Sequence, residues 1–280
     1  MQSNDLVQNQ HIVVKRTKRG VFMFNRNDTF IGRSLDLYGE WCDSEIALLA
    51  AGLRPGDLVL DVGANIGTHT VAFAQMVGPR GEVHAFEPQR RIFQLLCGNV
   101  ALNALENVWC HQIAVGSAQG TVHVPPAPPS TTQFNFGVVP VSKTGVGEPV
   151  AMVSIDSIGL DRCRLIKIDV EGMERDVLEG GRETIRRLEP VIFVEANSLD
   201  HAGPTIETVF SLGYRAYWHV WPYYNENNFF GNRENVFKEF SPEANLLCVP
   251  NRPDMTVQGA VECTGPDDNW LKAVERTPGQ

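Results

Sequence analysis

The chain has 280 residues, with 24 lysines and arginines against 33 aspartates and glutamates, and a formal net charge of −9. No long basic run occurs, which argues against binding to a nucleic-acid duplex. No apolar stretch approaches the roughly 18 residues that a membrane-spanning helix needs, so no membrane association is expected.

Six scattered cysteines form no Cys-x-x-Cys pair, which argues against a zinc site or a disulfide framework. The N-terminal segment MQSNDLVQNQ is polar and lacks the apolar core of a secretion signal. Together these features predict a cytoplasmic protein.

Residues 1–37 are predicted to form a strand-rich N-terminal extension, with two short strands meeting around Lys18-Arg19-Gly20. Residues 38–250 then alternate apolar runs with amphipathic segments. The runs are LVLDV, EVHAFEP, VWCHQIAVG, RLIKIDV and VIFVEAN. Such alternation predicts an α/β domain, in which a parallel sheet is covered by helices on both faces. MERDVLEGGRETIRRL is predicted as a single helix.

Two later segments, YRAYWHV and ANLLCVP, have no obvious helix between them, so we expect them to pair antiparallel at one edge of the sheet. Residues 121–149 are rich in proline and glycine and predict a long inserted loop or hairpin, which we expect to act as a flexible flap over the site of the acceptor substrate. Residues 251–280 are predicted to be an irregular tail.

The stretch LDVGANIGTHT, residues 60–70, predicts a strand, a tight turn and a helix. A phosphate-binding loop needs a lysine after its last glycine, but Thr68 and His69 follow Gly67. The dinucleotide pattern G-x-G-x-x-G is also missing, and Asp61 would repel a pyrophosphate. A carboxylate at a strand end suits an ammonium or sulfonium centre, so S-adenosylmethionine, which carries no phosphate, fits better.

The second apolar run ends in Glu87, which follows Asp61 after 26 residues. An acidic side chain at the end of the adjacent strand is placed to accept hydrogen bonds from both ribose hydroxyls. NAD-binding enzymes share this feature, so Glu87 supports an adenosine ligand rather than methyl transfer in particular.

At this point the sequence resembles the FkbM-type S-adenosylmethionine-dependent methyltransferases. LDVGANIGTHT, AFEP, IAVGS, SIDSI and IKIDVEGMERDVLEGG occur in the family's order, over roughly residues 35–250. The resemblance implies a seven-stranded Rossmann-like sheet, mostly parallel, with an antiparallel last strand. It also implies O-methylation of a hydroxyl on a sugar, polyketide or other small metabolite.

Carried over to this chain, the resemblance places Glu87 at the ribose, Ala114 near the adenine, and Asp169 and Glu171 near the transferred methyl group. The predicted cofactor-binding residues are Asp61, Gly63, Ala64, Asn65, Gly67, Thr70, Glu87, Pro88, Ala114 and Asp169. Glu40 and Trp41 are candidates for closing over the cofactor, with simple packing as the alternative. Lys167 is interpreted as a flank or edge contact rather than a catalytic group.

The acceptor hydroxyl must lose its proton, and we expect His219 to take it, since a neutral imidazole with an ordinary pKa of about 6.5 suits that task. Asp169 and Glu171 are the alternative bases. A second route would place Mg²⁺ on Asp169, Glu195 and Asn197, as in catechol-type O-methyltransferases. We favour the metal-free route and predict no metal.

The predicted partner is a small hydroxylated acceptor, and a homodimer stays open. Three other functions compete. Methylation of nitrogen or of a carboxylate fits the same fold. An NAD-dependent oxidoreductase is disfavoured by the missing glycine pattern. A non-catalytic role is disfavoured by the acidic residues at three strand ends.

Overall fold

The fold comes from a computed structural model that describes residues 5–142, 145–253, 255 and 257–276. Residues 1–4 of the predicted extension, 143 and 144 of the predicted loop, and 254, 256 and 277–280 of the predicted tail lie outside these ranges. No helix within the described ranges is long and apolar enough to cross a membrane.

The described chain alternates strands and helices. The strands are β1 Asp5–Gln8, β2 Ile12–Thr17, β3 Gly20–Asn25, β4 Leu58–Val62, β5 Glu82–Phe86, β6 Val108–His111, β7 Ala114–Val115, β8 Gly120–Val124, β9 Glu148–Val153, β10 Leu165–Ile168, β11 Val191–Glu195, β12 Tyr214–Trp221, β13 Glu243–Pro250 and β14 Val261–Glu262. The helices are α1 Ile31–Leu37, α2 Asp43–Ala50, α3 Thr68–Val77, α4 Arg90–Leu102, α5 Glu174–Glu179, α6 Arg182–Leu188, α7 Leu199–Ser211 and α8 Trp270–Arg276. Short 3₁₀ turns cover Phe136–Val138 and Ile155–Ile158.

The large sheet has the strand order β14-β12-β13-β11-β10-β4-β5-β6. Strands β6, β5, β4, β10 and β11 run parallel, whereas β13 is antiparallel to both β11 and β12. The predicted Rossmann-like sheet with one antiparallel late strand is therefore confirmed. The strand number is eight rather than seven, because β14 from the tail pairs with β12.

Alternate residues of β4 enter different cores, which explains why its sequence is apolar throughout. Leu58, Leu60 and Val62 pack with residues of α5, α6 and α7. Val59 packs with residues of α2 and α3 on the opposite face. A strand buried on both faces is typical of a parallel sheet covered by helices.

Three local predictions are wrong. The third run divides: β6 ends at His111, and Ala114 lies in β7, which pairs with β9 in a separate small sheet. The single helix predicted after β10 is broken into α5 and α6 at Gly180 and Gly181, and a side chain at Gly180 would meet the carbonyl oxygen of Gly116 at 2.1 Å. The tail is not irregular, since it contains β14 and α8.

The N-terminal strands form a separate three-stranded sheet, with β2 and β3 paired around Lys18-Arg19 as predicted. Two side-chain amides at the C-terminal end of α4 hold β3 in place. Asn99 accepts from the N–H of Met23 and donates to its carbonyl, and Asn103 does the same for Val21. These side chains satisfy backbone groups at the edge of β3 that would otherwise need another strand.

The predicted insertion lies between β8 and β9, which pair with each other in the small sheet. Arg91 of α4 donates to the carbonyls of Ala127 and Pro128 and to the hydroxyl of Ser130. Phe136, farther along the insertion, is buried. These contacts anchor the first half of the insertion beside α4, and its movement on ligand binding stays a prediction.

Candidate active site

The turn after β4 is shaped by two backbone constraints. Gly63 has a φ of +79°, and a Cβ there would lie 1.6 Å from the carbonyl oxygen of Asp169. The backbone N–H groups of Gly63 and Ala64 both donate to the carbonyl of Phe86, at 3.0 and 2.9 Å. Glycine is thus required by the close approach of the chain that follows β10.

The rest of the turn leads directly into α3. Asn65 and Gly67 both have positive φ values, 50° and 89°, and Oδ1 of Asn65 accepts from the N–H of Ile66 at 2.8 Å. A Cβ at Gly67 would meet Leu96 of α4 at 2.7 Å. The side-chain oxygen of Asn65 is therefore engaged within its own turn, and the amide nitrogen is the group left to face a ligand.

Glu87 follows β5 and fixes the same turn. Its Oε2 accepts from the N–H of Asn65 at 3.0 Å, and its Oε1 accepts from the N–H of Gln89 at 2.8 Å. Burial raises the pKa of Glu87 to about 7, although these two backbone donors oppose the shift. Each carboxylate oxygen retains a further lone pair, which is the capacity that two ribose hydroxyls require.

Asp61 lies beneath the turn rather than on its surface. Its side chain is fully buried, and the Thr70 hydroxyl donates to Oδ2 at 2.5 Å. Among the described residues, Oδ1 has no hydrogen-bond partner. Asp61 and the equally buried Thr70 therefore support the turn from below, and the predicted direct contact of Asp61 with a cofactor has only Oδ1 available to make it.

A cleft of about 450 Å³, counted to its open mouth, runs along the carboxyl ends of β4, β5 and β10. It brings together six predicted residues, namely Gly63, Glu87, Pro88, Ala114, Asp169 and Glu171. Gly137, Val139 and Val141 of the insertion also line it. Part of the insertion thus lines the cleft, and its role as a flap over the acceptor stays a prediction.

A group of carboxylates closes the β10 end of the cleft. Oxygens of Asp169, Glu171 and Glu195 all lie within 4.8 Å of one another. Burial, followed by the charge of Asp169, raises the pKa of Glu171 to about 8 and that of Glu195 well above its usual range. Like charges at this spacing favour a shared proton or a bound cation.

Asn197 connects this group to Glu243. Its amide nitrogen donates to Glu195 at 2.7 Å and to Glu243 at 2.9 Å, while its Oδ1 accepts from the N–H of Ala244. The set considered for the disfavoured magnesium route is Asp169, Glu195 and Asn197, and the side-chain oxygen of Asn197 is engaged by the N–H of Ala244. The set with cation-like spacing contains Glu171 in place of Asn197.

Lys167 is a component of the site that the sequence analysis missed. It is buried, and its ammonium lies 3.0 Å from Oδ2 of Asp169, 3.2 Å from the carbonyl of Gly63 and 3.7 Å from Oδ1 of Asp61. The interpretation as an edge contact is wrong, because β10 is flanked by β4 and β11 on either side. A lysine in a strand that reads as fully buried was the available signal.

His219 is not brought to this cleft. His219 pairs in register with Asn245 of β13, which in turn pairs with Glu195 of β11. Strands β13 and β11 therefore lie between His219 and β10. Three strand spacings put its backbone roughly 14 Å from the end of β10. Its ring stacks on Trp221 and lines a separate groove, and burial lowers its pKa to about 4.

An aromatic wall adjoins the carboxylates on the side away from Glu87. Trp41 stacks on Tyr223, with ring centroids 5.4 Å apart, and Tyr223 hydrogen-bonds to Glu243. Glu40 accepts from the amide of Asn225 and the N–H of Phe229, and also pairs with Lys18. Glu40 therefore fastens the β12–β13 loop to the N-terminal sheet, which is packing rather than closure over the cofactor.

The strand order, the glycine turn and the acidic strand ends together define a Rossmann-like methyltransferase. The sequence profile described as the methyltransferase FkbM domain matches residues 61–216. The chain belongs to the FkbM methyltransferase family. S-adenosylmethionine is the cofactor of this family, which confirms the cofactor prediction.

Two relatives with assigned names are similar over part of the chain. The hexuronic acid methyltransferase AglP of Haloferax volcanii is 30% identical over 58% of this chain and 64% of its own length. The 31-O-demethyl-FK506 methyltransferase FkbM of Streptomyces tacrolimicus is 30% identical over 46% of this chain and 60% of its own length. The chain therefore spans about six tenths of the length of each relative.

Among solved structures, an S-adenosylmethionine-dependent O-methyltransferase from Thermotoga maritima is 14% identical, with a TM-score of 0.49. The match covers 86% of this chain and 79% of the other chain.

Proposed function

We propose that this chain is an S-adenosylmethionine-dependent O-methyltransferase that acts on a hydroxyl group of a small acceptor. The observation that carries this proposal is the single cleft in which Glu87 lies at one end and the carboxylates of Asp169 and Glu171 at the other. An acid suited to ribose and a candidate proton acceptor thus line one groove.

The residues of the cleft fit the proposed cofactor. Glu87 lines the cleft and keeps a further lone pair on each carboxylate oxygen, which suits the ribose hydroxyls of S-adenosylmethionine. Asp61 supports the turn from below, where its Oδ1 has no hydrogen-bond partner among the described residues and lies 3.7 Å from the ammonium of Lys167. When bound, the cofactor supplies an electrophilic methyl group on a sulfonium.

The chain's own contribution to catalysis is orientation and proton acceptance. With His219 remote, the carboxylates at the end of β10 are the available bases. Burial and the charge of Asp169 raise the pKa of Glu171 to about 8, close to the pH at which a base works best. A carboxylate at the end of β10 would accept the proton that the acceptor hydroxyl loses.

The aromatic wall of Trp41 and Tyr223 gives the acceptor side an apolar face, and the carboxylates give it a polar one. Such a mixed surface suits a hydroxylated small molecule such as a sugar or polyketide. The names of two relatives specify a hexuronic acid and 31-O-demethyl-FK506. A neutral polyol is the better expectation here, because a carboxylate on the acceptor would be repelled by Asp169, Glu171 and Glu195.

The acidic group also favours a second candidate, methylation of an amine, since carboxylates attract an ammonium. The two reactions differ in the bond they form. Incubation with methyl-labelled S-adenosylmethionine and a panel of matched alcohols and amines, followed by mass spectrometry, separates them. Labelled methyl ethers support the proposal, and label found on nitrogen alone would replace it with the second candidate.

A further inference from the structure

Lys167 lies where two strand ends and the glycine turn meet. Its register partner in the neighbouring parallel strand is Asp61, so both side chains emerge on the same face of the sheet. Asp169 follows two residues later and shares that face. The ammonium contacts the carbonyl of Gly63 at 3.2 Å and Oδ2 of Asp169 at 3.0 Å. Both residues line the cleft, and 39% of the Asp169 side chain is exposed.

Lys167 contributes its positive charge to this region as well as its volume. Burial alone would lower its pKa, but the charges of Asp169 and Asp61 outweigh burial and raise it, so the group stays an ammonium. Burial raises the pKa of Glu45, Glu87 and Glu171, and the charge of Lys167 acts against that rise in each case. Lys167 thus supplies positive charge to a region crowded with carboxylates.

From this geometry we propose that Lys167 is a positioning residue that acts through Asp169. Its ammonium holds the Asp169 carboxylate turned toward the cleft, and it fixes the Gly63 carbonyl of the turn against the same strand. The inference rests on the proposed function, because it gives Asp169 a task at the cofactor. Lys167 itself does not touch the ligand, since it is buried behind the turn.

A purely structural role and a positioning role of Lys167 differ in the effect that Lys167→Met has on ligand binding once Asp169 is already substituted. If Lys167 acts through Asp169, the substitution Lys167→Met should have little further effect on ligand binding once Asp169→Asn has removed the charge. If Lys167 only stabilises the fold, the two losses should add, because the substitutions would then act independently.

The experiment measures S-adenosylhomocysteine binding by calorimetry at pH 5 to 8 for wild type, Lys167→Met, Asp169→Asn and the double variant. Lys272→Met, in α8 and exposed, is the matched control and should bind as wild type does. We expect Lys167→Met to bind roughly tenfold or more weakly than wild type. The double variant should bind no more weakly than the weaker single variant.

A conservative variant provides the second readout. Lys167→Arg keeps a positive charge beside Asp169, so it should bind S-adenosylhomocysteine more tightly than Lys167→Met does in the same calorimetry. An equal loss of affinity in the two variants would contradict a role for the charge.

Lys167→Met leaves Asp61 buried without a counter-charge and is at risk of not folding. In that event the same comparison is made in the Asp61→Asn background, with and without Lys167→Met. Unchanged affinity on loss of Lys167, or strictly additive losses with Asp169→Asn, would overturn the inference alone. A folded wild-type protein that does not bind S-adenosylhomocysteine would overturn the proposed function, and this inference with it.

Discussion

The backbone N–H of Asn65 donates a hydrogen bond to Oε2 of Glu87 at 3.0 Å, so the acid at the end of β5 fixes the turn that follows β4. The two strands are parallel neighbours, and their carboxyl ends meet at one edge of the sheet. Glu87 therefore has two tasks, since it orders the turn and presents its remaining lone pairs to the cleft.

Replacing Glu87 with alanine should weaken binding of S-adenosylhomocysteine about ten- to a hundredfold. A hydrogen bond to a charged group contributes roughly 1.5–3 kcal/mol, and the turn loses its anchor as well. Titration calorimetry measures the effect. Glu82→Ala, at the other end of β5 and outside the cleft, is the matched control. A folded Glu87→Ala variant with wild-type affinity would reject the ribose assignment.

The position of the catalytic base gives a second prediction. Glu171→Gln or Asp169→Asn should lower kcat roughly 10²- to 10⁴-fold, which is the usual contribution of a general base. His219→Ala should keep most of the activity, because two strands separate His219 from the end of β10. Initial rates with labelled cofactor distinguish a carboxylate base from His219 as the base. Glu207→Gln, at an exposed position, is the control. If His219→Ala is inactive but still binds the cofactor, the general base would be His219 instead.

Stability should fall as the pH rises from about 6.5 to about 8. Burial raises the pKa of Glu45 to about 8, and an unfolded glutamate titrates near 4.3, so in this window the folded state holds a proton that the unfolded state has lost. His69 and His219, whose pKa values burial lowers to about 4, are neutral here in the folded state and do not reverse the trend.

Urea unfolding at pH 6.5 and 8 measures this effect. Wild type should lose on the order of 1 kcal/mol or more of unfolding free energy, and Glu45→Gln should reduce that loss because it removes the titrating group. Glu275→Gln, exposed in α8, should behave as wild type does. A stability that rises over this interval would show that the buried carboxylates are ionised in the folded protein.

Removal of metal ions should leave activity unchanged. The proposed base is a carboxylate, and Asn197, one of the predicted ligands, has its oxygen engaged by the N–H of Ala244. Rates measured in EDTA should equal rates in Mg²⁺. Activity that disappears in EDTA and returns with Mg²⁺ would instead assign Asp169, Glu171 and Glu195 as ligands of a catalytic cation.

Much of the fold could be predicted from the sequence because each buried strand carries its own local signal. The run ending in Asp61 and the run ending in Glu87 are apolar, and each is followed by a polar turn and a helix. Parallel strands place these endings at the same sheet edge. The pairing of Asp61 and Glu87 across one cleft follows from that rule without knowledge of the strand order.

The errors arose where contacts depend on strand order and register. His219 lies near the end of an apolar strand just as Glu195 does, but β13 lies between β11 and β12 and separates the two residues. Lys167 belongs to the site because it pairs in register with Asp61, and no local sequence pattern reveals that register. Glu45 and Glu243 come from distant parts of the chain and join the same acidic group only through tertiary packing.

The most direct test of the central claim, that the cleft at the ends of β4, β5 and β10 binds S-adenosylmethionine, is thermal unfolding with S-adenosylhomocysteine and NAD side by side. At a hundredfold excess over its dissociation constant, a ligand that binds only the folded state stabilises it by roughly 2.7 kcal/mol. We predict a clear increase in Tm with S-adenosylhomocysteine that Glu87→Ala diminishes, and no increase with NAD. An increase with NAD and none with S-adenosylhomocysteine would contradict the account.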